Sequence, residues 1–217
     1  FALESQRRAA AARTAGRCAA EIVPVAVPGA KGAIELVESD EHLRPETTLE
    51  SLARLKPAFQ SDGTVTAGNA SGINDGAAAV AVVAASVGAA GDAPWAFRVV
   101  AAHSAGCDPA LMGLGPVEPP RGALAKAGWR VADLDRIELN EAFVAQAVAV
   151  NREMGWDPER VNPDGGAIAL GHPVGASGAR ILVTLLHGLV RDGGTRGVAT
   201  LCIGGGQGIA LLVERVR

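Results

Sequence analysis

The chain has 217 residues, and 20 lysines and arginines against 23 aspartates and glutamates leave a net charge of −3. That balance gives nucleic acid no electrostatic footprint, although a few local basic residues suffice to hold a phosphate tail. Apolar residues make up 48% with aromatics at only 3%, so the core must be built from Ala, Val, Leu and Ile in one large domain or two small ones.

Residues 1–17 form a run of good helix formers closed by Gly16, and predict an amphipathic helix. Phe1 enters this charged pattern directly, with no initiator Met and no signal peptide in view, and reads as an internal residue. Glu21 to Val27 alternates toward a strand that ends at Pro28-Gly29. A short helix is expected from Thr48, capped by Thr47 or Thr48 and stopped at Lys56-Pro57. Residues 63–74 read as loop. Asp75 to Ser86 is nearly all Ala and Val, too apolar for a surface helix, and is expected as a buried strand, a buried helix or both in succession. The small, turn-forming residues from Gly88 to Pro94 make the best internal boundary.

Beyond it strands and helices alternate. Strands are predicted over 97–102, 134–139, 198–202 and 209–213, and helices over 122–127, 142–154 and 177–190. The last helix carries Ile181, Leu182, Leu185, Leu186 and Leu189 on one stripe. This alternation specifies a layered α/β domain.

Chemistry concentrates at three tight turns. From Asn162 to Arg180, one histidine, His172, sits among five glycines with Pro173 directly after it. Cys202 ends a strand before Gly204-Gly205-Gly206. That glycine run superficially suggests a dinucleotide loop, but the motif needs a helix after it, and Ile209 to Val213 is strand-like. Asn140-Glu141 interrupts a strand-to-helix transition, where Asn140 suits a helix cap and Glu141 a structural carboxylate near a helix N-terminus. Ser177 lies in G-A-S-G-A, one residue short of a hydrolase elbow because Ala179 replaces the second Gly, and reads as a helix cap. The three cysteines have unrelated spacings and specify neither a disulfide framework nor a zinc site. That cysteine pattern makes a reducing cytoplasm the expected setting, and no apolar run reaches the roughly 18 residues that span a bilayer, so no membrane partner is expected.

Asn140-Glu141-Ala142-Phe143, Gly171-His172-Pro173 and Cys202-Ile203-Gly204, in that order, resemble the N-E-A-F, G-H-P and C-x-G motifs of the thiolase family. Asn69 to Ala77 and Gly113-Leu114-Gly115-Pro116 agree, and the resemblance runs the length of the chain. It implies a thiolase-like, five-layered αβαβα fold. Residues 1–70 would be the end of a CoA-contacting loop domain, 71–93 the closing element of the N-terminal half, and 94–217 the C-terminal domain.

For the site, the resemblance implies that His172 activates a cysteine nucleophile and helps hold the thioester oxygen. Cys202 would be the acid/base thiol and Asn140 would position an oxyanion-hole water. The Gly204 N–H would complete an oxyanion hole, since an unshielded N–H can approach a developing O⁻. Ser71, Arg44, Phe59 and Phe143 would contact coenzyme A or substrate. The activity implied is reversible acyl transfer between 3-ketoacyl-CoA or acetyl-CoA and CoA through an acyl-cysteine, with coenzyme A as substrate and no cofactor or metal. Thiolases carry their nucleophile in a C-x-S motif. Here Cys18, Cys107 and Cys202 are followed two residues on by Ala, Pro and Gly. The chain is therefore expected to be the C-terminal part of a thiolase, inactive alone, needing an N-terminal part and assembling as a homodimer or homotetramer. A non-catalytic CoA-binding or structural subunit is the other reading. Acyl length and the degradative or biosynthetic direction stay open.

Overall fold

The computed structural model describes residues 1–90 and 92–217, the side chains of residues 88–90 apart. The opening helix forms as α1 (Ala2–Thr14), and the chain leaves it through Gly16 in the left-handed region, at φ 66°. Glu21 is not extended. The strand expected there begins four residues later as β1 (Val25–Pro28), which pairs antiparallel with β2 (Ile34–Val37) in an exposed two-stranded hairpin. A short helix, α2 (Leu49–Ala53), follows with Thr48 as its cap. The Thr48 Oγ1 accepts from Ser51 N, and Ser51 Oγ accepts from Thr48 N.

The apolar run after residue 74 departs from expectation. Residues 75–84 form neither helix nor strand and pair with no strand among the described residues, and α3 (Ala85–Ala90) takes up the remainder. Instead of being buried, Val82 is 81% exposed and Ile73, just before the run, 88%. The composition is that of an interior element, but the described residues pack no second layer against it. The boundary expected at 88–94 overlaps the end of α3, and Gly91 lies outside the described residues.

The rest builds a four-stranded mixed sheet in the order β3-β6-β5-β4, with β3 at Phe97–Gly106, β4 at Arg136–Leu139, β5 at Arg196–Ile203 and β6 at Gln207–Arg215. Only the β4–β5 pair is parallel. Alternation along β5 sends Val198 and Ala199 to opposite faces. Val198 packs with Leu124 of α4 (Glu118–Ala127) and Val150 of α5 (Val144–Met154). Ala199 packs under Ile181, Leu185 and Leu189 of α7 (Ser177–Asp192), the stripe read from the sequence. Helix, sheet and helix thus form three layers of an α/β fold.

Helix α1 docks on this unit through α6 (Ala167–Leu170), a single turn not anticipated from the sequence. Its attachment is polar as well as apolar. Ser5 Oγ donates to Glu141 Oε2 at 2.7 Å, and Gln6 Nε2 donates to the Ile168 carbonyl at 3.1 Å. A buried ion cluster ties β4 to the same region, where the Arg136 guanidinium meets Glu138 at 2.8 Å, Asp164 at 2.7 Å and Asp192 at 3.2 Å.

Candidate active site

In a parallel strand pair the carboxyl ends open toward loops, which is where α/β proteins place their ligands. The chain does so at the ends of β4 and β5. Asn140 follows β4 directly, fully buried, and its backbone N–H donates to the Thr200 carbonyl at 3.0 Å. Cys202 lies two residues further along β5, roughly 7 Å at the rise of a strand. It is 8% exposed, and burial pushes its thiol above the ordinary value, partly offset by a hydrogen bond from its own backbone. The β5–β6 hairpin then turns through Gly204, Gly205 and Gly206. The side of Gly204 that a Cβ would occupy faces open space. The strands at this end lie unusually close to the preceding loop, because a Cβ on Gly208 would come within 2.1 Å of the Gly115 carbonyl oxygen.

His172 arrives from the other side, on the loop between α6 and α7. Gly171 takes φ 92°, and the Asn74 side chain fills the space where a Cβ would stand, 2.3 Å away. The His172 N–H donates to the Gly72 carbonyl at 2.8 Å. Its Nε2 lies 3.4 Å from Asn140 Nδ2, and its Nδ1 lies 2.5 Å from Ser177 Oγ. Burial, and behind it the charge of Arg180, push the imidazole below its ordinary value, so the ring is neutral at pH 7. Asn140 Oδ1 is buried and has no partner among the described residues.

Two cap assignments made from sequence are overturned. Asn140 does not cap α5, because Phe143 holds the N-cap position in an extended conformation and bridges to Ala70, and the Val144 N–H is taken by the Asn69 carbonyl at 2.9 Å. Ser177 does not cap α7. Ala176 holds the N-cap position, and the Ser177 hydroxyl donates to the Pro173 carbonyl at 3.1 Å instead of accepting a helix N–H. Glu141 is structural, as read, but it serves α6 and not α5. It accepts from Ser5 Oγ, Asn162 Nδ2 at 2.8 Å and Ile168 N at 3.1 Å, and burial still holds its carboxyl above the usual range.

The expected coenzyme-contacting residues divide. Ser71 lies beside the site, with both its N–H and its Oγ donating to the Ala142 carbonyl at 3.0 and 2.9 Å. Phe143 meets Phe59 edge to face, with centroids 6.3 Å apart, and Phe59 is 73% exposed. Arg44 folds its guanidinium onto the carbonyls of Glu41, His42 and Leu43. Sequence reasoning missed Ser177 and Asn74 as supports of the His172 loop. The signal was present in the five-residue spacing from His172 to Ser177 across a glycine turn.

A layered α/β unit with Asn, His and Cys gathered at the strand ends defines a class. The thiolase C-terminal domain model matches residues 93–215 and the thiolase N-terminal domain model matches residues 1–86, and the chain belongs to the thiolase family. It is 58% identical over 217 residues to an acetyl-CoA acetyltransferase of Thiocystis violacea, and 57% identical over 215 residues to one of Pseudomonas aeruginosa. These alignments cover 100% and 99% of the chain but 55% of each relative, so the chain spans about half the length of the curated relatives it matches. The crystal structure of the Bacillus anthracis acetyl-CoA acetyltransferase superposes with a TM-score of 0.93 at 43% identity, covering 99% of this chain and 54% of that one. Human mitochondrial 3-ketoacyl-CoA thiolase in complex with CoA gives 0.85 at 43% identity, covering 99% and 53%.

Proposed function

We propose that this chain carries the acid/base and oxyanion machinery of an acyltransferase acting on coenzyme A thioesters. The whole enzyme passes an acyl group reversibly between 3-ketoacyl-CoA and CoA through an acyl-cysteine. The observation that carries this reading is the pairing of His172 with Asn140 at 3.4 Å, at the strand ends where Cys202 also lies. A cysteine thiol at its ordinary pKa is only a few per cent thiolate at neutral pH, so a neighbouring imidazole that accepts its proton makes it a nucleophile. In the cleavage direction the thiolate attacks the 3-keto carbon, and the bond to the neighbouring carbon breaks. The resulting carbanion takes a proton from an acid, which is Cys202. A thiol held protonated by burial suits that step. The thiol of a second CoA then displaces the acyl group from the cysteine. The free Oδ1 of Asn140 accepts from a water that in turn faces the developing oxyanion, and the Gly204 N–H serves the second oxyanion.

The nucleophile belongs to the part of the enzyme outside these residues, so the chain alone is inactive. In this reading residues 1–70 end the coenzyme-contacting loop domain, 71–93 close the N-terminal half, and 94–217 form the C-terminal domain. The exposed apolar run at 75–84 supports such a closing role, because its surface needs a partner layer. Ser71, Phe143, Phe59 and Arg44 contact the coenzyme. The enzyme works in the cytoplasm as a homodimer or homotetramer. The test is a thiolysis assay with acetoacetyl-CoA and CoA. The chain alone should show no turnover. With the remaining part of the enzyme restored it should turn over, and His172→Ala should abolish the reaction. Turnover by the isolated chain, or full activity of the restored His172→Ala enzyme, defeats the proposal.

A further inference from the structure

We infer that Ser177 is the positioning residue that fixes the tautomer of His172, leaving the imidazole lone pair on Nε2, the nitrogen that faces Asn140. The inference rests on the reading of His172 as the base, and it assigns the base to one atom of the ring.

The protons on this network can be counted. The Ser177 hydroxyl has one proton and two lone pairs. It lies 3.1 Å from the Pro173 carbonyl oxygen and 2.5 Å from His172 Nδ1. A carbonyl only accepts, so a hydroxyl that serves both neighbours must donate to Pro173 and accept from Nδ1. The proton of the neutral ring is then on Nδ1, and Nε2 carries the lone pair. The Nδ2 of Asn140, 3.4 Å away, is a donor and matches that lone pair.

The network has a direction. Asn140 Nδ2–H points to Nε2, Nδ1–H points to Ser177 Oγ, and the Ser177 O–H points to the Pro173 carbonyl. The opposite arrangement puts the proton on Nε2, turns the Ser177 hydroxyl toward Nδ1 and needs the Asn140 amide flipped. It forfeits the bond to Pro173 and so makes one hydrogen bond fewer. In a neutral imidazole the partner of one nitrogen decides the state of the other. Ser177 is suited to that task because it is fully buried and sits on the rigid first turn of α7. The ring itself is only half-buried, on a glycine loop. The Pro173 carbonyl also accepts the N–H groups of Ala176 at 2.7 Å and Ser177 at 2.8 Å, so the far end of the network is itself anchored. The loop and the first helical turn thus form one unit, which reconciles the short glycine-rich spacing with a fixed ring.

The direct test is long-range proton–nitrogen NMR of the histidine side chains in the 15N-labelled chain, which separates the two tautomers without any assay of activity. The wild-type chain should show His172 protonated on Nδ1 alone. Ser177→Ala should bring in the Nε2–H form, and Ser177→Thr, which keeps the hydroxyl, should restore the wild-type signal. In the restored enzyme Ser177→Ala should lower kcat by at least on the order of 10-fold with KM unchanged, the lower end of the loss seen when the partner that orients a metal-bound histidine is removed. An Nε2–H signal in the wild type, or an Nδ1–H signal indifferent to Ser177→Ala, overturns the inference. Should Ser177→Ala fail to fold, the wild-type signal alone still decides where the proton sits. Failure of the functional reading looks different: the tautomer would follow Ser177 while His172→Ala left acyl transfer intact.

Discussion

Residues 97–217 and residues 1–90 solve the burial problem differently. The first group closes its own core, with helices on both faces of a sheet and Leu185 and Leu212 fully buried. The second is held mostly by what it leans on. Helix α1 is fixed through Ser5, Gln6 and Ala9, while the β1–β2 hairpin and the irregular run at 75–84 leave Ile34, Val82 and Val83 in solvent at 80%, 81% and 58%. Apolar residues alone do not make a core. A core needs a second layer to face, and among the described residues that layer is built mainly for the C-terminal portion.

Substitutions should therefore divide sharply between the two regions. The largest effect is expected from Arg136→Met, which leaves the buried Glu138 without its cation while Asp164 keeps Arg191 and Arg17. A loss of about 3–5 kcal/mol in urea unfolding is expected, and a neutral outcome would mean that the cluster is better solvated than its burial indicates. Leu185→Ala should cost about 3 kcal/mol in the same experiment through the cavity it opens. Thr48→Ala removes one half of the α2 capping box and should cost about 1 kcal/mol, confined to that helix and read as faster amide exchange over 49–53. Val82→Thr should change the stability of the chain by less than about 0.5 kcal/mol, since that side chain buries little to lose. The same change should become costly once the rest of the enzyme is present, and a large effect in the chain alone would erase the contrast between the regions.

The smallest signal is a titration. His172 should titrate below 6.5 by NMR, because the fold favours its neutral form. A group depressed in this way adds stability above pH 6.5, and that contribution disappears as pH falls through its folded midpoint. A midpoint above 6.5 would point to an acidic neighbour in place of burial.

What the sequence made legible follows the same division. The α7 stripe and the alternation of β5 are periodic signals that point at partners within the chain, so Ile181, Leu185 and Leu189 were found where expected. The three motif residues Asn140, His172 and Cys202 were legible because each interrupts an apolar element at a turn. Asn140 and Ser177 have the residue types of caps, but both side chains are committed to the His172 ring, and Ser177 also to the Pro173 carbonyl, so neither is left for a helix N–H. The run at 75–84 was misjudged for the complementary reason. Its composition reports the layer it is built to meet and not whether that layer is at hand.

Asn162 takes φ 44°, and its side-chain amide accepts from Leu139 N at 2.9 Å and donates to Leu139 O at 2.8 Å. Just before it, the Ile137 N–H donates to the Arg160 carbonyl and the Ile137 carbonyl accepts from Asn162 N, both at 2.9 Å. A carboxamide thus stands in for the next peptide group of a neighbouring strand and seals the outer margin of β4. An unsealed margin is an invitation to pair with any passing extended chain, the route by which sheets aggregate. Among the described residues the sheet therefore has a single margin left for strand addition, along β3 at the side farthest from His172. Any growth of the sheet by pairing must start there, and it leaves the reaction end of β4 untouched.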